Sequence, residues 1–247
     1  MPGALEATLK RERVIVAAAL LLVAVLSWTV TARLAIDMKW MMLDAAGWNA
    51  AYFCAMCLMW VVMMVAMMLP SAAPAILLFA ALERRAGLGG TALFTAGYLA
   101  CWGAFSLIAT LAQWALNEAG LLASPMMIRA TPTLAALLFV LAGVYQLTPL
   151  KNACLRQCRS PAAFLVERRR SGRFGALVMG LEHGAYCAGC CWALMALLFA
   201  FGVMNLLWVA LLAAFVFAEK LFPAGARVAR VGAMAMMVVG ALLLWRS

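Results

Sequence analysis

Apolar positions follow one another without alternation over 14–36, 50–69, 91–116, 131–149, 176–200, 203–219 and 227–245. Each run approaches the roughly 20 residues that an α-helix needs to cross about 30 Å of hydrocarbon. The pattern predicts an all-α polytopic transmembrane helix bundle of about seven spans, or six. Helices are expected in preference to a barrel, because barrel strands alternate over about ten residues and these runs do not. No polar stretch is long enough for a separate soluble domain, so 1–247 reads as a single integral membrane domain. Its longest polar stretch, about 150–175, reads as a basic cytoplasmic loop. The first run follows "KRER" but is too long for a secretory signal, whose apolar region covers about 7 to 15 residues, and it is taken as an anchoring helix.

Composition agrees with the pattern: 68% of the 247 residues are hydrophobic, 11% are charged, and the mean hydropathy is +1.04. The net charge of +10 raises the question of nucleic acid, and its distribution answers it. With the N-terminus cytoplasmic, Lys10, Arg11, Arg13, Arg84, Arg85, Lys151, Arg156, Arg159, Arg168, Arg169, Arg170, Arg173, Lys220, Arg227 and Arg230 fall inside, against Arg33, Lys39, Arg129 and Arg246 outside. That is the excess of cytoplasmic cations expected of a multi-pass inner-membrane protein, and its partner is the lipid bilayer, with no nucleic acid.

Sulfur changes the picture next. The chain holds 8 Cys and 18 Met, and their placement says more than their number. In "CAMCLMWVVMMVAMMLPSAAP" (54–74), helical periodicity puts Met56, Met59, Met63 and Met67 with Trp60 on one stripe, and Cys54, Cys57, Met64 and Met68 on another. Pro70 and Pro74 are expected to interrupt this helix near its cytoplasmic end. In "GLEHGAYCAGCCWALM" (180–195), Cys187 lies about 40° to one side of His183 and Cys190 about 20° to the other, with Cys191 at about 80°. Side chains one turn apart on one face can share an ion, and thiolate with imidazole is a soft donor set suited to Cu(I) first and zinc second. Free Cys is also a common small buried hydrophobe, and Met a common packing residue. Glu182 points about 100° from His183, which suits a supporting or proton-handling role and not a ligand. In "KNACLRQCRSP" (151–161), Cys154 and Cys158 stand one turn apart among Lys151, Arg156 and Arg159, cations that favour thiolate. The orientation brings all three sulfur groups to the cytoplasmic half, with His183 and the cysteines in the first turns of the fifth span. Gly180 and Gly184 permit close helix approach there.

The strings "WVVMMVAMMLPSAAP" (60–74), "YQLTPLKNACLRQCR" (145–159) and "GLEHGAYCAGCCWALM" (180–195) together resemble a bacterial family of predicted metal-binding integral membrane proteins, domain of unknown function 2182. The resemblance runs from the second span onward. It rests on Met63, Met67, Met68, Pro70, Ser71, Lys151, Cys154, Cys158, Arg159, Gly184, Cys187, Gly189, Cys190, Cys191 and Trp192. What it implies is metal binding, with no ion or reaction attached.

The resulting expectation is a soft metal ion, foremost Cu(I), held by Cys187, Cys190, Cys191 and His183, with Met63 and Met67 as lining or added ligands. Cys154 and Cys158 would form an inner docking pair. The ion would be transported, or delivered to a metallochaperone or metalloprotein. No G-x-x-x-x-G-K-[ST] loop is present to couple ATP. Two other readings remain open: a membrane thiol-disulfide oxidoreductase using Cys187 and Cys190 with Cys154 and Cys158, and an assembly or structural subunit. No paired carboxylates or Ser-His-Asp grouping occurs, and enzymatic chemistry is not expected.

Overall fold

The computed structural model describes residues 2–36, 48–83, 87–124 and 129–246. The expected topology charges Lys39, Arg84 and Arg85 lie outside the described residues, as does the side chain of Lys10. Over the described residues the chain is all-α apart from one short antiparallel ribbon, β1 (Leu122–Ser124) with β2 (Arg129–Ala130). The helices are α1 (Pro2–Ile36), α2 (Ala50–Leu82), α3 (Gly87–Glu118), α4 (Pro132–Leu147), α5 (Pro149–Arg159), α6 (Pro161–Glu167), α7 (Gly172–Ala196), α8 (Leu198–Phe201), α9 (Leu206–Leu221) and α10 (Gly225–Arg246).

Five of the described helical segments are long and apolar enough to cross a membrane, or six if α4 and α5 count as one bent span. The difference from seven lies in α4 and α9. Each has 16 residues, about 24 Å at 1.5 Å per residue, short of the hydrocarbon thickness. Proline sets the first limit. Thr148 precedes Pro149, which disfavours the helical conformation at the preceding residue; Thr148 takes ψ 147° and the axis turns by 67°. The Thr148 side chain then accepts from Lys151 N and caps α5. Ser160 and Pro161 likewise begin α6, with proline at the first helical turn but no side-chain cap from Ser160. The segment expected as a loop at about 150–175 is therefore helical over most of its length.

Pro70 and Pro74 do not break α2, which continues through both to Leu82. Its start is fixed by Asn49, whose side chain accepts from Tyr52 N at 2.9 Å. The most buried span is α7, with 61% of its apolar window inside, against 17% for α1 at the rim. Glycine permits its closest contact: a Cβ at Gly180 would overlap the Phe94 backbone, and one at Gly184 would lie 3.1 Å from Tyr98 O on α3. Outward faces carry exposed Leu21, Leu22, Ile108, Leu141, Leu207 and Val238, the surface expected of helices solvated by lipid.

The Lys and Arg side chains do not all mark helix ends. Lys151 and Lys220, read as cytoplasmic loop charges, are 0% and 4% exposed, and Glu219 beside them is 1% exposed. Charge at the end of an apolar run resembles a membrane boundary, and here it lies inside the bundle.

Candidate metal centre

Helix α7 carries the three clustered cysteines in its fifth and sixth turns and His183 in its fourth. The difference from the expected first turns arises because the helix begins at Gly172. Cys187, Cys190 and Cys191 are all buried. The thiols of Cys190 and Cys191 turn back to donate to the Cys187 carbonyl at 3.1 and 2.9 Å. That local bonding, one turn apart, holds both sulfurs beside Cys187.

Two neighbouring helices bring further sulfur. Helix α5 lies across α7 where Gly189 leaves room: a Cβ there would come within 2.9 Å of Cys154 Sγ. Tyr145, at the end of α4, donates its hydroxyl to the Gly189 carbonyl and fixes the same spot. One turn along α5, Cys158 Sγ stands 4.0 Å from Cys190 Sγ, and it also faces Cys187. About 100° around α7, Met68 Sδ of α2 lies 4.0 Å from Cys191 Sγ. Two sulfurs bound to one ion at about 2.3 Å each stand about 4.0 Å apart when they subtend about 120°. Both contacts have that spacing, which a thiol donating to a second sulfur also shows.

Polar groups missed by the sequence reading converge on Cys187. The Lys220 ammonium, from the last turn of α9, donates to Cys187 Sγ at 2.9 Å and to Ser71 Oγ at 3.1 Å. Ser71 donates onward to the Met68 carbonyl at 2.9 Å, and Tyr98 donates to the same carbonyl at 3.1 Å. The Tyr98 hydroxyl is also 3.0 Å from Cys187 Sγ. Glu219, adjacent to Lys220, points to the other side. It accepts from Lys151 Nζ at 2.7 and 2.9 Å and from Gln146 Nε2 at 2.6 Å. Signals for this network were present as Gln146 inside the fourth apolar run and the Glu219–Lys220 pair ending the sixth, since ionisable residues within spans mark functional sites.

The other expected ligands fall elsewhere. His183 is buried in a cage of Phe94, Tyr98 and Phe164, with ring centroids 5.1 to 6.1 Å away, and its Nδ1 has no hydrogen-bond partner. Met63 and Met67 are buried in the apolar core, and the methionine that meets the cysteines is Met68. Glu182 pairs with Arg170 at 2.6 Å, a supporting contact at the rim. The cations flanking the α5 thiols do not serve them: Lys151 is committed to Glu219, and Arg159 donates to the carbonyls of Phe222 and Pro223 at 3.2 and 3.0 Å. Cys54 and Cys57 lie at the start of α2, about 21 Å and about 16 Å along the helix from Met68. Among the described residues, no three His, Cys, Asp or Glu side chains form a cluster placed to hold a metal ion. The arrangement is a row of paired sulfurs and not a closed cage.

No curated protein and no solved structure matches the chain. A family model described as copper chaperone, PpoB2, matches residues 57–243, a range that includes every sulfur contact just described. Well over half of the sequence is covered, and the chain belongs to this copper chaperone family.

Proposed function

We propose that the protein is a multi-pass chaperone of the bacterial inner membrane that carries Cu(I) as cargo on paired sulfurs between α2, α5 and α7 and passes it to a metalloprotein or metallochaperone. The observation that carries this reading is the meeting of three helices through sulfur: Cys158 with Cys190, and Cys191 with Met68, both at 4.0 Å. Thiolate and thioether donors select Cu(I) over harder ions, and metal binding displaces the thiol protons. Two of the thiolates of Cys187, Cys190 and Cys158 hold the ion at a time, and Cys191 with Met68 supplies a second position. Cys154, half-buried on α5, lies on the route towards a partner. His183, with its free ring nitrogen one turn away, is a reserve ligand on the other flank. A chaperone must release its cargo, and two-sulfur sites exchange ligands more readily than a closed four-ligand cage, as ion passage through several weak sites requires.

The deciding experiment is metal content by plasma mass spectrometry of the detergent-purified protein, prepared under reducing conditions and loaded with Cu(I). The wild type should hold copper near stoichiometry, and Cys187→Ser with Cys190→Ser should lose it. Wild-type protein that stays metal-free after loading would overturn the reading. Reversible oxidation of Cys158 with Cys190 as the only change between oxidised and reduced cells would favour thiol-disulfide exchange, the reading that the same sulfur contact also allows.

A further inference from the structure

Three charged side chains are fully buried among the described residues: Lys151, Glu219 and Lys220. Glu219 is taken by Lys151, which contacts both carboxylate oxygens, and by Gln146. Among the described residues, Lys220 therefore has a buried ammonium with no carboxylate opposite it. Its partners are the neutral Ser71 hydroxyl and the sulfur of Cys187, and its charge also faces Cys190 and Cys191. An unpaired buried charge is strongly unfavourable, so the missing anion belongs to the sulfurs in the state for which the site is built.

We propose that Lys220 is the specificity-determining residue of the sulfur site: its ammonium is the fixed counter-charge of a Cu(I) ion held by two thiolates, and it disfavours a divalent ion on the same two sulfurs. This rests on the copper-carrying reading above. One Cu(I) with two thiolates bears a net charge of −1, which Lys220 neutralises. One Zn(II) with two thiolates is neutral and leaves Lys220 unpaired. Zinc would restore the balance by recruiting a third thiolate, yet among the described residues no three His, Cys, Asp or Glu side chains are placed to hold one ion. Zinc also favours four tetrahedral donors, which paired sulfurs do not provide. Sulfur chemistry alone admits both ions; the buried ammonium separates them by charge. Lys220 acts through the thiolates and does not bind the metal, so it is a positioning residue with an electrostatic task.

The test uses the full chain in detergent under anaerobic, reducing conditions. Wild type, Lys220→Arg and Lys220→Met are offered Cu(I) and Zn(II) together, and the bound ratio is read by plasma mass spectrometry. Parallel samples receive Ag(I) and Cd(II), a second pair of soft ions that differ in charge. Wild type and Lys220→Arg should prefer the monovalent ion in both pairs. Lys220→Met should shift both ratios at least tenfold towards the divalent ion, because the charge is gone while every sulfur remains. A folded Lys220→Met with the wild-type ratio overturns the proposal, as does a folded Lys220→Arg that loses the preference. If Lys220→Met does not fold, the wild type decides: equal retention of Cd(II) and Ag(I) overturns the proposal, and a clear Ag(I) preference kept by Lys220→Arg supports it. Wild type that takes up no monovalent ion overturns the copper reading itself, and this inference with it.

Discussion

The Lys151 ammonium lies 2.7 Å from the Glu219 carboxylate, and both side chains are sealed from solvent, at 0% and 2% exposure. This pair ties α5, which carries Cys154 and Cys158, to the end of α9, which carries Lys220. Adjacent residues of α9 thus serve two purposes: Glu219 docks the helix that brings sulfur, and Lys220 faces the sulfur itself. Replacing one partner strands the other charge. Lys151→Met alone or Glu219→Gln alone should destabilise the protein by about 3–5 kcal/mol, whereas the double variant should recover much of the loss. Thermal unfolding in detergent gives the stabilities, and faster alkylation of Cys154 in the single variants would show α5 undocking. A double variant no more stable than either single one would contradict the docking role.

Gly189 offers a second test of how α5 sits. A Cβ at this position would approach Cys154 Sγ to 2.9 Å, closer than packing allows, so Gly189→Ala should cost about 1–3 kcal/mol and loosen copper retention. Adding Cys154→Ala removes the sulfur that collides and should restore stability. The check is the pair of melting temperatures together with the metal content. An unperturbed Gly189→Ala would mean that α5 does not pack here.

Much of this organisation could be read before the fold was known, and the failures have physical causes. Long apolar runs announce helices in lipid, and Gly180 and Gly184 announce a close neighbour; α3 is that neighbour. The Thr148–Pro149 and Ser160–Pro161 steps carried enough information to place α5 and α6, although basic composition made the segment look like a loop. Lys220 was misread for a similar reason, since a cation after an apolar run usually marks the interface. Only the packing of α9 against α2 and α7 shows it turned inward. Helical periodicity separates Met67 from Met68 by about 100°, but it cannot say which stripe meets α7. The motif resemblance pointed to metal-binding membrane proteins. The family match makes the association one with copper and does not carry that narrower family designation.

The 4.0 Å approach of Cys158 to Cys190 predicts a specific cross-link. A disulfide needs the sulfurs at about 2.05 Å, a closure of about 2 Å that side-chain rotation and a small shift of α5 can supply. Mild oxidation of the metal-free protein should join these two residues ahead of any pair involving Cys54 or Cys57, which lie at the far end of α2. Peptide mapping of the oxidised protein identifies the pair. Prior loading with Cu(I) should slow the reaction, because bound thiolates are protected. Equal cross-linking with and without copper would place the ion away from these sulfurs.

The clearest separation between the sequence expectation and the structure is among the methionines of α2. Met63, Met67 and Met68 are all buried, so each should respond to truncation as a core residue, and an exchange for Leu should be nearly neutral for stability, at less than about 1.5 kcal/mol. Of these three, Met68 places its sulfur against a cysteine, 4.0 Å from Cys191. Met68→Leu should therefore weaken Cu(I) retention in a chelator competition by several-fold, while Met63→Leu and Met67→Leu leave it unchanged. Loss of the thioether and loss of volume are separated by this choice, since Leu keeps the packing and removes the donor. Equal weakening in all three variants would point to a Met-lined path along α2. No effect in any would confine the ion to the thiols of Cys158, Cys187 and Cys190 and leave the carbonyl of Met68, anchored by Ser71 and Tyr98, as that residue's contribution to the site.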